Sequence, residues 1–185
     1  MNISDTLFIL SPSPDNRLEK EIAVYKLLDS LDIAYTGIDH DEAATIELCK
    51  EIEKKLDTEI CKNLFLCNSQ KTAFYLLLMP GDKKFKTKDL SKQINSARLS
   101  FAGAEHMQEH LNITPGSVSV LGLMNDKKKA VKLLIDKDLP KDEYIGCHPC
   151  INTSTLKIKL RDIKEKLLPH LGYEATIVDL PEVEE

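Results

Sequence analysis

The sequence lacks any run of about 18 apolar residues, so no transmembrane helix is expected. It lacks Lys or Arg ahead of its first short apolar stretch, MNISDTLFIL, so no signal peptide is read there and the expected compartment is the cytoplasm. It also lacks G-x-x-x-x-G-K-[ST], G-x-G-x-x-G and G-x-S-x-G. The usual signatures of P-loop hydrolases, dinucleotide enzymes and α/β-hydrolases are therefore missing. No internal repeat, low-complexity tract or Pro/Gly-rich linker divides the chain. The five cysteines, at 49, 61, 67, 147 and 150, are an odd number. In a chain with enough core of its own they fit reduced thiols better than a disulfide framework.

What is present is globular: 185 residues, 42% hydrophobic and 30% charged. At about 150 residues per domain this is one domain spanning 1–185. A chain of this size buries roughly 70% of its unfolded surface without staples. The formal charge of −5 argues against sequence-blind coating of nucleic acid by the whole surface. It leaves room for local basic patches. Residues 82–98 carry Lys83, Lys84, Lys86, Lys88, Lys92 and Arg98 against Asp82 and Asp89, a local balance of +4. Lys127, Lys128, Lys129 and Lys132 form a second cluster, while acidic residues gather at 41–60 and 179–185. Such asymmetry permits a phosphate-facing side; it equally fits solvated turns beside strands.

Periodicity predicts a first helix after Ser13-Pro14, capped by the Asn16…Glu19 pair, with Leu18, Ile22, Tyr25, Leu28 and Leu31 at helical spacing. A strand at 34–38 and a helix at 45–56, with Leu48, Cys49, Ile52 and Leu56 on one face, should follow. Residues 63–67 (NLFLC) and 73–79 (AFYLLLM) read as a buried hairpin closed by a polar turn, with Pro80-Gly81-Asp82 ending its second strand. Short helices fit 87–94 and 103–111. The loop 112–117 leads into the apolar run 118–124, and strands fit 130–135, 144–146, 155–158 and 176–178. The last helix covers 160–171 with Leu160, Ile163, Leu167 and Leu171 inward, its end frayed by Pro169. Hairpins mixed with irregularly placed helices predict a mixed α/β domain with a curved, largely antiparallel sheet.

Four constellations carry chemistry. His106-Met107-Gln108-Glu109-His110 spells H-x-x-E-H, which on a helix sets two imidazoles one turn apart and suits zinc, with Glu109 as base. No third ligand is evident, and Ala104, Met107 and Leu111 are needed for packing, so an exposed helical face explains it as well. Cys147-His148-Pro149-Cys150 spells C-x-x-C, a redox pair or half of a zinc site with Cys61 or Cys67. No helix starts after it to lower a thiol pKa, and Cys61 and Cys67 are six apart, so two buried thiols are the plainer reading. Lys62 stands at the mouth of a buried strand, where its ammonium can meet a phosphate or carboxylate or simply snorkel to water. Thr114-Pro115-Gly116-Ser117 can turn successive N–H groups outward as an anion nest or oxyanion hole, or form an ordinary type II turn.

Taken in order, Lys62–Leu66 (KNLFL), residues 111–119 (LNITPGSVS), Cys147-His148-Pro149 with Asn152-Thr153, and the 160–171 helix running to Ile177-Val178-Asp179-Leu180 resemble the YbaK/prolyl-tRNA-synthetase-associated domain family. The likeness is to its free-standing ProX type and spans about residues 16 to 181. The resemblance implies a single α/β domain with a curved, barrel-like mixed sheet surrounded by helices. It implies hydrolysis of the ester in mischarged Ala-tRNA(Pro), with no cofactor and no metal. It implies the tRNA(Pro) acceptor end as partner, admits prolyl-tRNA synthetase, and implies neither DNA nor membrane. By the same resemblance Lys62 is the functional lysine that holds the phosphate or ribose of the tRNA 3′ end, and Asn63 orients the substrate. Gly116 and Ser117 supply backbone donors to the ester carbonyl, Thr114 belongs to the substrate-binding loop, and His148 forms the pocket wall. Deacylation of Cys-tRNA(Pro) or another small misacylated tRNA, or a non-catalytic tRNA- or synthetase-binding module, are the alternatives. One departure stands out: where the family's loop often reads Gly-x-x-x-Pro, this chain has Val120, so a rigidifying residue is missing.

Overall fold

The computed structural model describes residues 2–42, 46–139 and 143–182. Its centre is the predicted hairpin, β3 (Lys62–Asn68) against β4 (Phe74–Met79), in register from Lys62↔Met79 to Cys67↔Phe74. Asn68 builds the turn: its Oδ1 accepts from the N–H groups of Thr72 and Ala73, at 2.8 and 3.1 Å. Every residue of β4 is buried. That explains its unbroken apolar run, since a strand covered on both faces has no reason to alternate. Phe74, Leu76 and Leu78 face the main core, while Tyr75, Leu77 and Met79 join Leu90 of α3 (Thr87–Gln93) in a second cluster.

Two sheets are present. The five-stranded one runs β5-β3-β4-β6-β9, with β5 (Leu99–Phe101) antiparallel to β3 and with β6 (Val131–Asp136) and β9 (Ala175–Val178) parallel to their neighbours. The four-stranded one runs β1-β2-β8-β7, all antiparallel, from β1 (Ile3–Phe8), β2 (Tyr35–His40), β7 (Tyr144–Cys147) and β8 (Ser154–Lys159). They meet at one parallel bridge, Ile60↔Gly146, where Gly146 N–H donates to Glu59 O at 2.7 Å and Cys61 N–H to Gly146 O at 3.2 Å. Thus the expected single curved sheet is two sheets, and no ladder among the described residues closes them into a barrel.

Around the sheets pack α1 (Glu19–Ser30), α2 (Ile46–Leu56), α4 (Ala104–Leu111) and a carboxy-terminal helix. The cap expected from Asn16…Glu19 is not made. Asn16 takes the left-handed conformation at φ 61°, Leu18 occupies the cap position without a side-chain bond, and the Arg17 N–H closes a turn on Pro14 O. Asn tolerates that conformation because its short side chain makes local bonds. In α2, Leu48, Ile52 and Leu56 are buried against Ile38; the expected first residue, Thr45, lies outside the described residues.

The expected fraying at Pro169 is replaced by a widened helix. The chain runs through α5 (Leu160–Asp162), a π-helical stretch (Ile163–Leu167) and α6 (Leu168–Leu171) to a left-handed Gly172 at φ 75°. Pro169 offers no N–H and its ring crowds the preceding turn, and a π-turn makes room for both defects. Strands β1 and β5 lie where no strand is read from the sequence, and the apolar run 118–124 forms a 3₁₀ turn at Val120–Asn125.

Candidate active site

The start of β3, the loop before the 3₁₀ turn and the end of β7 converge on one cleft of about 230 Å³. Ile60, Lys62, Asn63, Leu64, Gly116, Val118, Cys147 and His148 are among its walls. Four of the six site residues expected from the sequence, Lys62, Asn63, Gly116 and His148, thereby come together from three separate segments. Thr114 and Ser117 do not line it.

Lys62 is half-buried, and its Nζ donates to the main-chain oxygen of Lys83 at 2.6 Å. An ammonium has three donors, so two remain without a partner among the described residues. Asn63 is already committed: its Nδ2 donates to Cys61 O at 3.2 Å and contacts Cys61 Sγ at 3.3 Å, and its Oδ1 accepts from the Val120 N–H at 3.0 Å. It ties the loop to the strand.

Loop 114–117 is the type II turn weighed from its sequence. Pro115 and Gly116 are its corner, Gly116 has φ 89°, and the Ser117 N–H donates to Thr114 O at 3.1 Å. Ser117 is fully buried and its Oγ donates to the same carbonyl at 2.8 Å. The Ser117 N–H is thus spent on the turn and does not point to an ester, contrary to the expectation that it donates there. The N–H groups of Gly116 and Val118 have no hydrogen-bond partner among the described residues. Exposed Thr114 contributes its carbonyl and a contact of 3.1 Å between its Oγ1 and Ser117 Oγ.

His148 Nδ1 lies 2.8 Å from Ser154 O, so that nitrogen carries the proton and Nε2 is the acceptor. Nδ1 also lies 3.4 Å from Thr155 Oγ1, which sits 2.8 Å from His40 Nε2. Burial lowers the pKa of His148 below the usual histidine value; the Ser154 carbonyl opposes this and the nearby His40 adds to it. The ring is neutral at pH 7.

The cysteines are free thiols. Burial pushes Cys61 up to about 11 and Cys150 up to about 12, and raises Cys147 as well. Cys61 and Cys147, both raised by burial, serve as neutral thiols in the cleft wall. His106, Glu109 and His110 do gather, with ligand atoms within 4.8 Å of one another. They lie on α4, outside the cleft. Their two imidazoles pack on Phe74 at ring distances of 4.9 and 4.3 Å.

The basic clusters divide. Lys83, expected among solvated lysines, is only 8% exposed and paired with Asp136 and Asp138. Lys129 and Lys132 lie over the rings of Tyr173 and Tyr75 at 4.4 and 5.9 Å, in a different cleft. Sequence reasoning missed the carbonyl of Lys83 and the thiol walls. Only the Pro80-Gly81 turn signal next to a lysine run hinted at the first.

The model of the aminoacyl-tRNA editing domain family matches residues 40–166. The chain is 34% identical over 163 residues to the prolyl-tRNA editing protein ProX of Acetoanaerobium sticklandii, covering 88% of this chain and 99% of that one. It is 29% identical over 148 residues to the prolyl-tRNA synthetase associated domain-containing protein 1 of Danio rerio, covering 79% of each. A solved structure described as a candidate trans-editing enzyme for prolyl tRNA synthetase superposes with a TM-score of 0.66 at 17% identity, over 91% of this chain and all of that one. With the family's span running from β2 through the cleft to the carboxy-terminal helix, the chain belongs to the aminoacyl-tRNA editing domain family.

Proposed function

We propose that this protein is a trans-editing deacylase that hydrolyses alanine from mischarged Ala-tRNA(Pro). The observation that carries the reading is the meeting of Lys62, Gly116 and His148 in one small cleft, in a member of the editing family whose relatives include a prolyl-tRNA editing protein. The chemistry has a physical reason to exist. A synthetase pocket built for proline cannot strongly reject a smaller amino acid, because the lost apolar contact is worth only about 1–3 kcal/mol. A second site that admits alanine and shuts out proline by size restores accuracy.

In this reading the tRNA 3′ end enters over Lys62. The two free donors of its ammonium hold the terminal phosphate or ribose. A water attacks the ester carbonyl, the carbonyl oxygen gains negative charge, and the ribose oxygen leaves with a proton. The Gly116 N–H, held outward by the turn, faces the developing oxyanion; donors fixed before the reaction are the ones that lower its barrier. Ser117 contributes by closing the turn. Asn63 keeps the turn against β3. Neutral His148, with Ile60, Leu64, Val118 and the Cys61 and Cys147 thiols, bounds the space for the amino-acid side chain.

Deacylation of Ala-, Cys- and Pro-tRNA(Pro) in EDTA, by wild type and Lys62→Ala, tests this. Rapid loss of alanine that spares proline and needs Lys62 is expected. Preference for the cysteine ester reassigns the substrate. Cleavage of none, with tRNA still bound, means a binding module.

A further inference from the structure

The cleft's lysine does not stand alone, and what holds it is unusual. The Lys62 ammonium is anchored by the main-chain oxygen of Lys83 at 2.6 Å. Lys83 is itself a buried cation. Its Nζ sits 3.1 and 2.9 Å from the two oxygens of Asp136, whose side chain is fully buried, and 2.6 Å from Asp138 Oδ2. Asp138 turns back through its own N–H, which donates to Asp136 Oδ1 at 2.9 Å. The turn that carries Lys83 is pinned at two further points. The Lys83 N–H donates to Pro80 O at 3.3 Å. At Gly81 any Cβ would lie 2.4 Å from Ile60 O, so only glycine lets the turn rest on the segment just before Lys62.

Two of these charges, Lys83 and Asp136, are out of water, a poor way to gain stability, because desolvation takes back most of the attraction and an apolar pair of the same volume often does as well. Burial alone lowers the Lys83 pKa, and the bonds from Asp138 and Asp136 outweigh it, keeping the ammonium charged. Such a triad gives direction: it sets where one turn, and hence one carbonyl, sits. We infer that Asp136, Lys83 and Asp138 are positioning residues for the editing reaction, acting through the Lys83 carbonyl to aim the Lys62 ammonium into the cleft. This rests on the role proposed for Lys62.

The consequence is specific. A catalytic group displaced by about 1 Å can lose on the order of 100-fold in rate while substrate still binds. The test uses Asp138→Asn, which sits at a partly exposed position, Asp136→Asn, which keeps the buried shape, and Asp138→Glu as the conservative rescue. Steady-state deacylation of Ala-tRNA(Pro) is measured beside proton–nitrogen NMR of lysine ammonium groups, in which Lys62→Met identifies the Lys62 Nζ signal. Both Asn variants should lower kcat by about 10- to 100-fold, with a smaller rise in KM because Lys62 also holds the tRNA end, and should shift or broaden the Lys62 signal while remaining folded by circular dichroism. Asp138→Glu should restore most of both. Wild-type kcat with an unmoved Lys62 signal in Asp138→Asn overturns the inference, even if Asp136→Asn fails to fold. If Lys62→Ala itself keeps full activity, the assignment of the site fails instead; a Lys62 signal that still moves in the Asn variants then supports the positioning alone.

Discussion

At the scale of single residues, Gly116 and the neighbouring His40 and His148 make the sharpest claims. Gly116 holds φ 89°, a conformation that strains an L-residue by about 1–2 kcal/mol. The space at its Cβ position is adequate, since Asn152 Nδ2 would lie 3.4 Å away, so the strain belongs to the backbone. Gly116→Ala should lower Tm by about 2–8 °C in a thermal melt and slow ester hydrolysis by re-aiming one N–H. His40 and His148, whose rings lie 6.1 Å apart, both have lowered pKa values, burial being the first cause in each. Asp39 and Asp41 oppose the fall at His40, and His40 deepens it at His148. The unfolded chain therefore takes up protons near the ordinary histidine value of 6.5 while the native rings do not. Stability from this pair is complete above that pH and is lost as pH falls through the native values. Urea midpoints measured from pH 7.5 to 5 should decline, and His148→Gln should flatten the decline.

At the scale of elements, the loop and β3 act as one piece. Val120 stands where the family's loop often carries proline, and the sequence suggested a looser loop for want of that ring. The structure supplies a different restraint. Val120 is fully buried, and its N–H, which proline would not possess, is bound by Asn63 Oδ1. Asn63→Ala leaves that N–H without a partner, a cost of about 1–3 kcal/mol. The variant should melt earlier. If the loop sets the size limit of the cleft, its ratio of Ala-tRNA(Pro) to Pro-tRNA(Pro) cleavage should also fall. An unchanged ratio in a destabilised protein would show that Asn63 serves folding only. Residue type at Asn63 was legible; its commitment to Val120, 57 positions away, was not, because neither periodicity nor local motif encodes a bond of that span.

At the scale of the whole molecule, charge decides how an acidic protein meets an acidic polymer. The net charge of −5 repels tRNA at long range, so binding depends on local cations. Those cations are fewer than composition suggests. Lys83 is sealed in its ion triad and Lys137 is paired with Asp179 at 2.8 Å. Each phosphate neutralised contributes about −0.7 to the slope of log affinity against log salt for single-stranded contacts. Fluorescence titration of deacylated tRNA(Pro) from 50 to 300 mM salt should give a shallow slope of about −1 to −3, and a steeper one would reveal a broad basic face.

The hairpin, the amphipathic helices, the tight turn at Pro115-Gly116 and, through ordered motif blocks, the family were all legible from residue order. Each of these is local: it follows from alternation, helical spacing or the conformational limits of proline and glycine. The remaining features came from long-range packing. It split the strands into two sheets joined at Ile60↔Gly146, and it spent the Ser117 N–H on its own turn. It also converted Lys83 from one charge in a surface run into the buried root of Lys62. These outcomes turn on which distant groups satisfy one another once water is excluded, and chain order alone does not specify that pairing.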